Sequence, residues 1–384
     1  MMKLDELLRD EALRRREFPV CEQKIFLAHA GVSPLPRRVS EAMRGYLEAA
    51  TRNDQEDVLP EQIVGKTRQL AASLIEARAE EIAFVGSTSM GLAMVAAGLS
   101  WELGDNVVCY RDDYPANVYP WMNLASRGVE VRFVEPRQYG NVTVEDLEQV
   151  VDERTRLVSL ASVHFVSGWR LDVDRIGQYL HERGVLFCLD GIQSLGALRT
   201  RMQHVDFAAA DAHKWLLGPL GVAILFVCKK HFEQMRPSLV GWHSATCPDY
   251  IAQEKLTFWP DSRRYEPGSL NLVGLVGLHA ALELILDCGI GAVEARVLDL
   301  ARRAIEEGER QGLRVMGAKV DDMGLSGIVS FVSDKRDVAE LHAKLSQANL
   351  VTSLRRRRDG VRCLRLSPHF YNSFTELDEW KRRL

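Results

Sequence analysis

The sequence predicts an α/β protein, with a mainly parallel sheet in a large domain and a smaller α+β domain at the carboxyl end. Three observations lead there. Leu186-Phe187-Cys188-Leu189 is an unbroken apolar run closed by Asp190, the pattern of a strand buried on both faces. Short apolar runs recur at 81–85, 106–110, 129–134, 157–163, 207–210 and 222–227, and 92–99 and 171–184 read as helices between them. Beyond a breaker-poor helix over 270–288, Asp359-Gly360 is a two-residue hairpin signal between 351–358 and 361–366. The opening residues, 4–16, read as one amphipathic helix, and 26–36 as a short strand entering a Gly/Pro turn.

Composition narrows the function. The 384 residues are enough for about two domains. They carry 49 Lys and Arg against 53 Asp and Glu, a net charge of -4, spread without a basic patch, which speaks against nucleic acid as a partner. No apolar run approaches the roughly 18 residues of a membrane span, and the first 16 residues lack a signal-peptide core. Seven cysteines, an odd number with no CxxC pair, read as reduced thiols of a cytoplasmic protein with no metal centre.

The chemistry concentrates around Asp190. The carboxyl ends of parallel strands are where open α/β sheets bind ligands. The chain has room to leave after Asp190 and return through Asp211-Ala212-His213-Lys214, bringing an acid, the Gln193 amide, an imidazole and an amine to one cleft. A buried acid facing a ligand nitrogen, with a lysine nearby, suits pyridoxal phosphate: the lysine forms the Schiff base and the acid keeps the ring nitrogen protonated. The plain alternative makes Asp190 a helix cap and Lys214 a surface lysine. Gly86-Ser87-Thr88-Ser89 opens a helix, where small hydroxyl residues either offer donors to a phosphate or simply cap the helix.

Asp190-x-x-Gln193 followed by His213-Lys214-Trp215-Leu216-x-Gly218-Pro219-x-Gly221 resembles the pattern of class V aminotransferases, a family that includes cysteine desulfurases and isopenicillin N epimerase-like proteins. The pattern looks nearest to the epimerase-like members. The resemblance implies a PLP-dependent fold of type I, with 1–24 packing on the small domain, 25–275 as the large PLP-binding domain and 276–384 as the small one. It also implies that Lys214 holds the cofactor and takes the substrate α-proton while Asp190 faces the ring nitrogen. Tyr114 would lie on the ring face, where desulfurases carry His. Gln193 would meet the phenolic oxygen, and Thr88, Ser89 and His213 the phosphate. Asp211 stands where desulfurases place a phosphate-binding Ser, so it is expected to turn away. Ser269, in Arg263-Arg264-Tyr265-Glu266-Pro267-Gly268-Ser269, would reach the phosphate of a partner subunit and make the enzyme a homodimer.

Arg365, in Arg365-Leu366-Ser367-Pro368-His369-Phe370-Tyr371-Asn372, matches the family's ligand for the substrate α-carboxylate, a bidentate pairing. A tight Asp359-Gly360 turn pairs 358 with 361 and 354 with 365, so Arg356 or Arg358 would share a face with Arg365 and assist it. His29, where the family commonly has Asn, is expected at the substrate. The expected activity is therefore a PLP reaction on an amino acid bearing an α-carboxylate, nominally transamination. Epimerisation and C–S cleavage are alternatives, and a catalytically idle PLP-fold binding protein is another. Two features argue against cysteine desulfurase chemistry: the missing imidazole at Tyr114, and a segment ahead of Arg365 that is short and carries only Cys363.

Overall fold

The apolar runs between 81 and 227 assemble into one sheet. In the computed structural model, which describes residues 3–319 and 323–384, its strands are β2 (Ile82–Val85), β3 (Asn106–Tyr110), β4 (Glu130–Val134), β5 (Thr155–Ala161), β6 (Leu186–Asp190), β7 (Phe207–Asp211) and β8 (Ala223–Val227), after a short β1 (Ile25–Phe26). Their order is β2-β8-β7-β6-β5-β3-β4. The β4, β3, β5, β6 and β7 neighbours pair in parallel, and β8 runs antiparallel to both β7 and β2.

Alternation explains the unbroken apolar run of β6. Phe187 and Leu189 join a cluster with Leu275, Leu278 and Leu282 of the helix Leu272–Cys288. Leu186 and Cys188 join another, with Leu92 and Val95 of the helix Thr88–Gly98. Both faces are covered, so no position in the strand can be polar until it ends at Asp190. The second helix lies close on the sheet: a Cβ at Gly91 would stand 2.8 Å from the Ala209 Cβ.

The carboxyl end carries β9 (Arg314–Val315), β10 (Val329–Val332), β11 (Leu350–Val351), β12 (Ser353–Arg356) and β13 (Arg362–Leu366). Four of these form a sheet in the order β12-β13-β10-β9, while β11 pairs in parallel with β1. The boundary expected at 275/276 falls inside the continuous helix Leu272–Cys288. The opening helix is two helices, Leu4–Arg9 and Glu11–Glu17, because the Asp10 carboxylate accepts from the Ala12 and Leu13 amides and starts a new one. Arg14 then meets Glu376 at 2.9 Å, and Phe18 stacks on Tyr371, tying the beginning of the chain to its end. Among the described residues no single helix is long and apolar enough to cross a membrane.

The hairpin corrects the sequence reading. Arg356 pairs with Arg362, Arg355 with Cys363 and Ser353 with Arg365. The Arg357 amide donates to Val361 O, and Gly360 has φ +91°. Asp359-Gly360 therefore belongs to a three-residue loop, 358–360, closed by a left-handed glycine, rather than to a two-residue turn. That slips the register by one residue, and with a side-chain period of two a slip moves every side chain to the other face. Arg355, not Arg356, shares the face of Arg365. Arg356 is exposed, and Arg358 pairs instead with Asp112.

Candidate active site

The ends of β6 and β7, the first turn of the helix Thr88–Gly98 and the β12–β13 hairpin enclose a cavity of about 420 Å³. Asp190 closes β6 there, its Oδ1 accepting from the Ile192 amide at 3.1 Å. Its carbonyl accepts from both the amide and the hydroxyl of Ser162, so the carboxylate is held from the backbone outward. Burial raises its pKa to about 6, against the Ile192 hydrogen bond and Lys214, which lower it. It still ionises at neutral pH. A second buried acid, Asp113, accepts from the Ala161 and Asn117 nitrogens; burial and the neighbouring Asp190 raise its pKa to about 7.

Lys214 sits in a tight turn just past β7. Its carbonyl accepts from the Ser33 hydroxyl at 2.7 Å and from the Leu217 amide at 3.1 Å. Leu217 adopts φ +57°, a conformation that costs a non-glycine residue on the order of 1 kcal/mol and persists only where packing enforces it. The Lys214 side chain is buried, and burial lowers its pKa to about 8 while Asp190 pulls it back up. Its Nζ lies 5.5 Å from the centroid of the Tyr114 ring, which is half-exposed and packs edge-on against Phe165.

At the phosphate end, Ser87 caps the helix by accepting from the Met90 amide. The Thr88 hydroxyl accepts from the Asp211 amide, leaving its own hydrogen free, and Ser89 lines the cavity in an exposed position. His213 Nδ1 lies 2.8 Å from Asp211 Oδ1, within ion-pair range but out of line for a hydrogen bond. Asp211 therefore faces His213 and itself lines the cavity; the expectation that it turns away is corrected. Gln193 accepts from Trp215 Nε1 at 2.9 Å and donates to Ala30 O at 3.1 Å, with one amide hydrogen remaining.

At the opposite wall, Arg365 is fully buried. Its Nη1 donates to Phe165 O, while Nε and Nη2 have no partner. Burial, with Arg355 second, lowers its pKa to about 9, so it stays cationic at neutral pH. A buried guanidinium with two unused donors is costly unless an anion meets it.

Two expected residues lie elsewhere. His29 is fully buried, with Nδ1 on Ser367 O at 2.9 Å and Nε2 on the Tyr371 hydroxyl at 2.7 Å, and it does not line the cavity. Arg356 is turned away by the hairpin register. Ser269, expected at the site of a second subunit, is exposed and outside this chain's own cavity. Cys363 is buried with Val166 and Val332, and no described cysteine lines the cavity. Sequence reasoning missed Arg355, whose only signal was a turn type that two readings of Asp-Gly share.

A larger hollow of about 700 Å³ includes Arg170, Arg175, Arg199 and Arg201, but these pair with Glu294, Glu145 and Glu76, and no lysine faces an acid there. The smaller cavity is the candidate active site. Its groups fit pyridoxal phosphate: a buried amine of lowered pKa, an acid at the strand end, a helix start with free hydroxyl donors, and an aromatic face.

Comparison with known proteins agrees. The profile described as Aminotransferase class-V matches residues 25–379. A probable cysteine desulfurase of Methanothermobacter thermautotrophicus is 29% identical over 339 residues, covering 85% of this chain and 83% of that one. One from Pyrococcus abyssi is 29% identical over 385 residues, covering 95% and 94%. The apo structure of a cysteine desulfurase from Thermococcus onnurineus NA1 superposes with a TM-score of 0.88 at 25% identity, over 97% of this chain and 96% of that chain. The cystine C-S lyase C-DES shares the fold, with a TM-score of 0.85 at 23% identity over 95% and 98%. These names overturn the expectation drawn from Tyr114 and Cys363 against cysteine desulfurase chemistry. None of the relatives named here is an isopenicillin N epimerase. The chain belongs to the aminotransferase class-V family and has the fold of the PLP-dependent type I enzymes.

Proposed function

We propose that this protein is a PLP-dependent enzyme that cleaves the C–S bond of a cysteine-type amino acid. One observation carries the reading: a buried lysine beside an acid shares a single cavity with a buried arginine whose Nε and Nη2 are unused. The names of the relatives supply the bond that is broken, in place of the transamination expected from the sequence.

When bound, pyridoxal phosphate supplies the electron sink that stabilises negative charge at Cα. The chain's residues do the rest. Thr88, Ser89 and His213 hold the phosphate, and Tyr114 covers the ring face. Asp190, ionised at neutral pH, would keep the ring nitrogen protonated, and Gln193 would offer its remaining N–H to the phenolic oxygen. Arg365 takes the substrate α-carboxylate with Nε and Nη2, which orients the Cα–H bond. Lys214 would hold the cofactor, and its amine, whose pKa burial lowers to about 8, would take the Cα proton in its neutral form. Ser269 completes the phosphate site of a second copy, making the enzyme a homodimer.

The test is to incubate the PLP-loaded protein with L-cysteine and with L-cystine. The expected outcome is pyruvate, ammonia and sulfide from L-cysteine and pyruvate, ammonia and cysteine persulfide from L-cystine, or alanine with the sulfur carried off as the persulfide of an added thiol. A keto acid that retains its sulfur would replace this reading with transamination, and no change in either amino acid would make the protein an idle binding module.

A further inference from the structure

We infer that Asp113 is a positioning residue of the cofactor site, a second carboxylate behind Asp190 that helps to hold the cofactor's ring nitrogen protonated. The inference deepens the proposed function and rests on its placing of Asp190 at that nitrogen.

Asp113 lies just past β3 and reaches across the end of β5. Its Oδ2 accepts from the Ala161 amide at 3.1 Å and from Asn117 Nδ2 at 3.2 Å. Ala161 stands directly opposite Asp190 in the parallel pair of β5 and β6. Adjacent strands are about 4.8 Å apart, so the two buried acids are near neighbours. Only Asp190 lines the cavity. Asp113 therefore acts through Asp190 and touches no ligand itself.

A hydrogen-bonded network fixes what Asp113 meets. Asn117 Oδ1 accepts from Ser159 Oγ at 2.5 Å and from Trp121 Nε1 at 3.3 Å, which turns the Asn117 amide nitrogen toward Asp113. Oδ2 thus faces two neutral donors, and among the described residues Asp113 makes no ion pair. The ionisable groups around it are Asp190 on β6, Cys109 and Tyr110 at the end of β3, and Asp112. Each of these is an acid, and the Arg358 cation is spent on Asp112.

Two buried carboxylates this close do not both ionise without a compensating cation. Asp190 has Lys214 and the Ile192 amide beside it, so the proton of the pair falls on Asp113. Burial and Asp190 raise the Asp113 pKa to about 7, against about 6 for Asp190. Once Asp190 meets a protonated ring nitrogen, that positive charge balances the pair and Asp113 ionises, losing its proton to solvent. The nitrogen then faces two negative charges, one behind the other, and each makes its proton harder to remove.

The test loads the apo protein with pyridoxal phosphate isotope-labelled at the ring nitrogen and follows that nitrogen by NMR as the pH is raised. In the wild type it should stay protonated well above neutral pH. Asp113→Asn keeps an oxygen acceptor for Ala161 and Asn117 and removes only the charge. It should let the ring nitrogen lose its proton at least about one pH unit lower, a loss of about tenfold in proton affinity. Circular dichroism confirms the fold. A titration unchanged in Asp113→Asn would overturn the inference and leave Asp113 a scaffold of the turn that carries Tyr114. A ring nitrogen already unprotonated in the wild type at neutral pH would remove the Asp190 assignment, and the inference with it. Infrared spectroscopy of the wild type needs no variant. The apo protein should show a buried carboxylic acid band that fades as the pH rises through about 7 and is lost on cofactor binding at neutral pH. A band that persists after cofactor binding would overturn the inference.

Discussion

Two regions meet at the cavity, and they were unequally readable. The ends of β6 and β7 present Asp190 and Lys214, and the β12–β13 hairpin presents Arg365 and Arg355. The first region is fixed by burial on both faces, so the first polar residue of the strand must fall at its end. The second is fixed by a turn, and one residue in that turn decides which side chains face inward. Reactive groups on buried strands tolerate little error of placement, whereas recognition groups on a hairpin move together when its loop changes length.

Removing the chemistry should have the largest effect. Lys214→Ala should lower kcat for C–S cleavage by at least about a thousandfold and abolish the visible band of the cofactor–lysine linkage. A mutant that retains that band would displace Lys214 from its role.

Removing recognition should cost less and act on binding. Arg365→Ala should weaken binding of L-cysteine by about 2–4 kcal/mol, roughly thirty- to a thousandfold, with little effect on cofactor occupancy. Arg365→Lys should recover only part, since it keeps the charge and loses the planar fork. Equal losses of substrate and cofactor would point instead to a collapsed hairpin.

The pH dependence sharpens the contrast. Burial disfavours the charged form of Lys214, so its pKa is lowered to about 8 and the neutral, reactive amine dominates above that value. Cofactor uptake by the apo protein should therefore rise about tenfold per pH unit up to about 8 and then level off. A rise that continues toward the ordinary lysine range would mean that Lys214 is not buried in solution.

The smallest effect belongs to the turn. Gly360→Ala places a side chain at φ +91° and should cost about 1 kcal/mol, read from the denaturant midpoint. Because the loop sets the register, the same change should also weaken substrate binding through Arg365. A midpoint equal to that of wild type would show that this loop geometry is not required.

The centre of the large sheet was legible because β2, β6, β7 and β8 are apolar along their length, with Asp190 and Asp211 marking the ends of β6 and β7. The sequence reading of His29 failed for a different reason. Its position passes close to the cavity, but its ring is spent on Ser367 and Tyr371, and such a network across distant segments leaves no local pattern. Asp211 was misjudged because a carboxylate beside a phosphate site looked repulsive until His213 was found facing it. Arg355 was hidden in a run of four arginines, where only the register separates the inward residue from its neighbours.

The central claim is that the two regions cooperate, with Lys214 breaking bonds in a substrate that Arg365 holds by its α-carboxylate. It is tested most directly by comparing L-cysteine with cysteamine, its decarboxylated counterpart, in the wild type and in Arg365→Ala. The account predicts that the wild type strongly prefers cysteine in kcat/KM and that the preference collapses in the mutant. Equal turnover of the two by the wild type, with the ratio unchanged in Arg365→Ala, would contradict it.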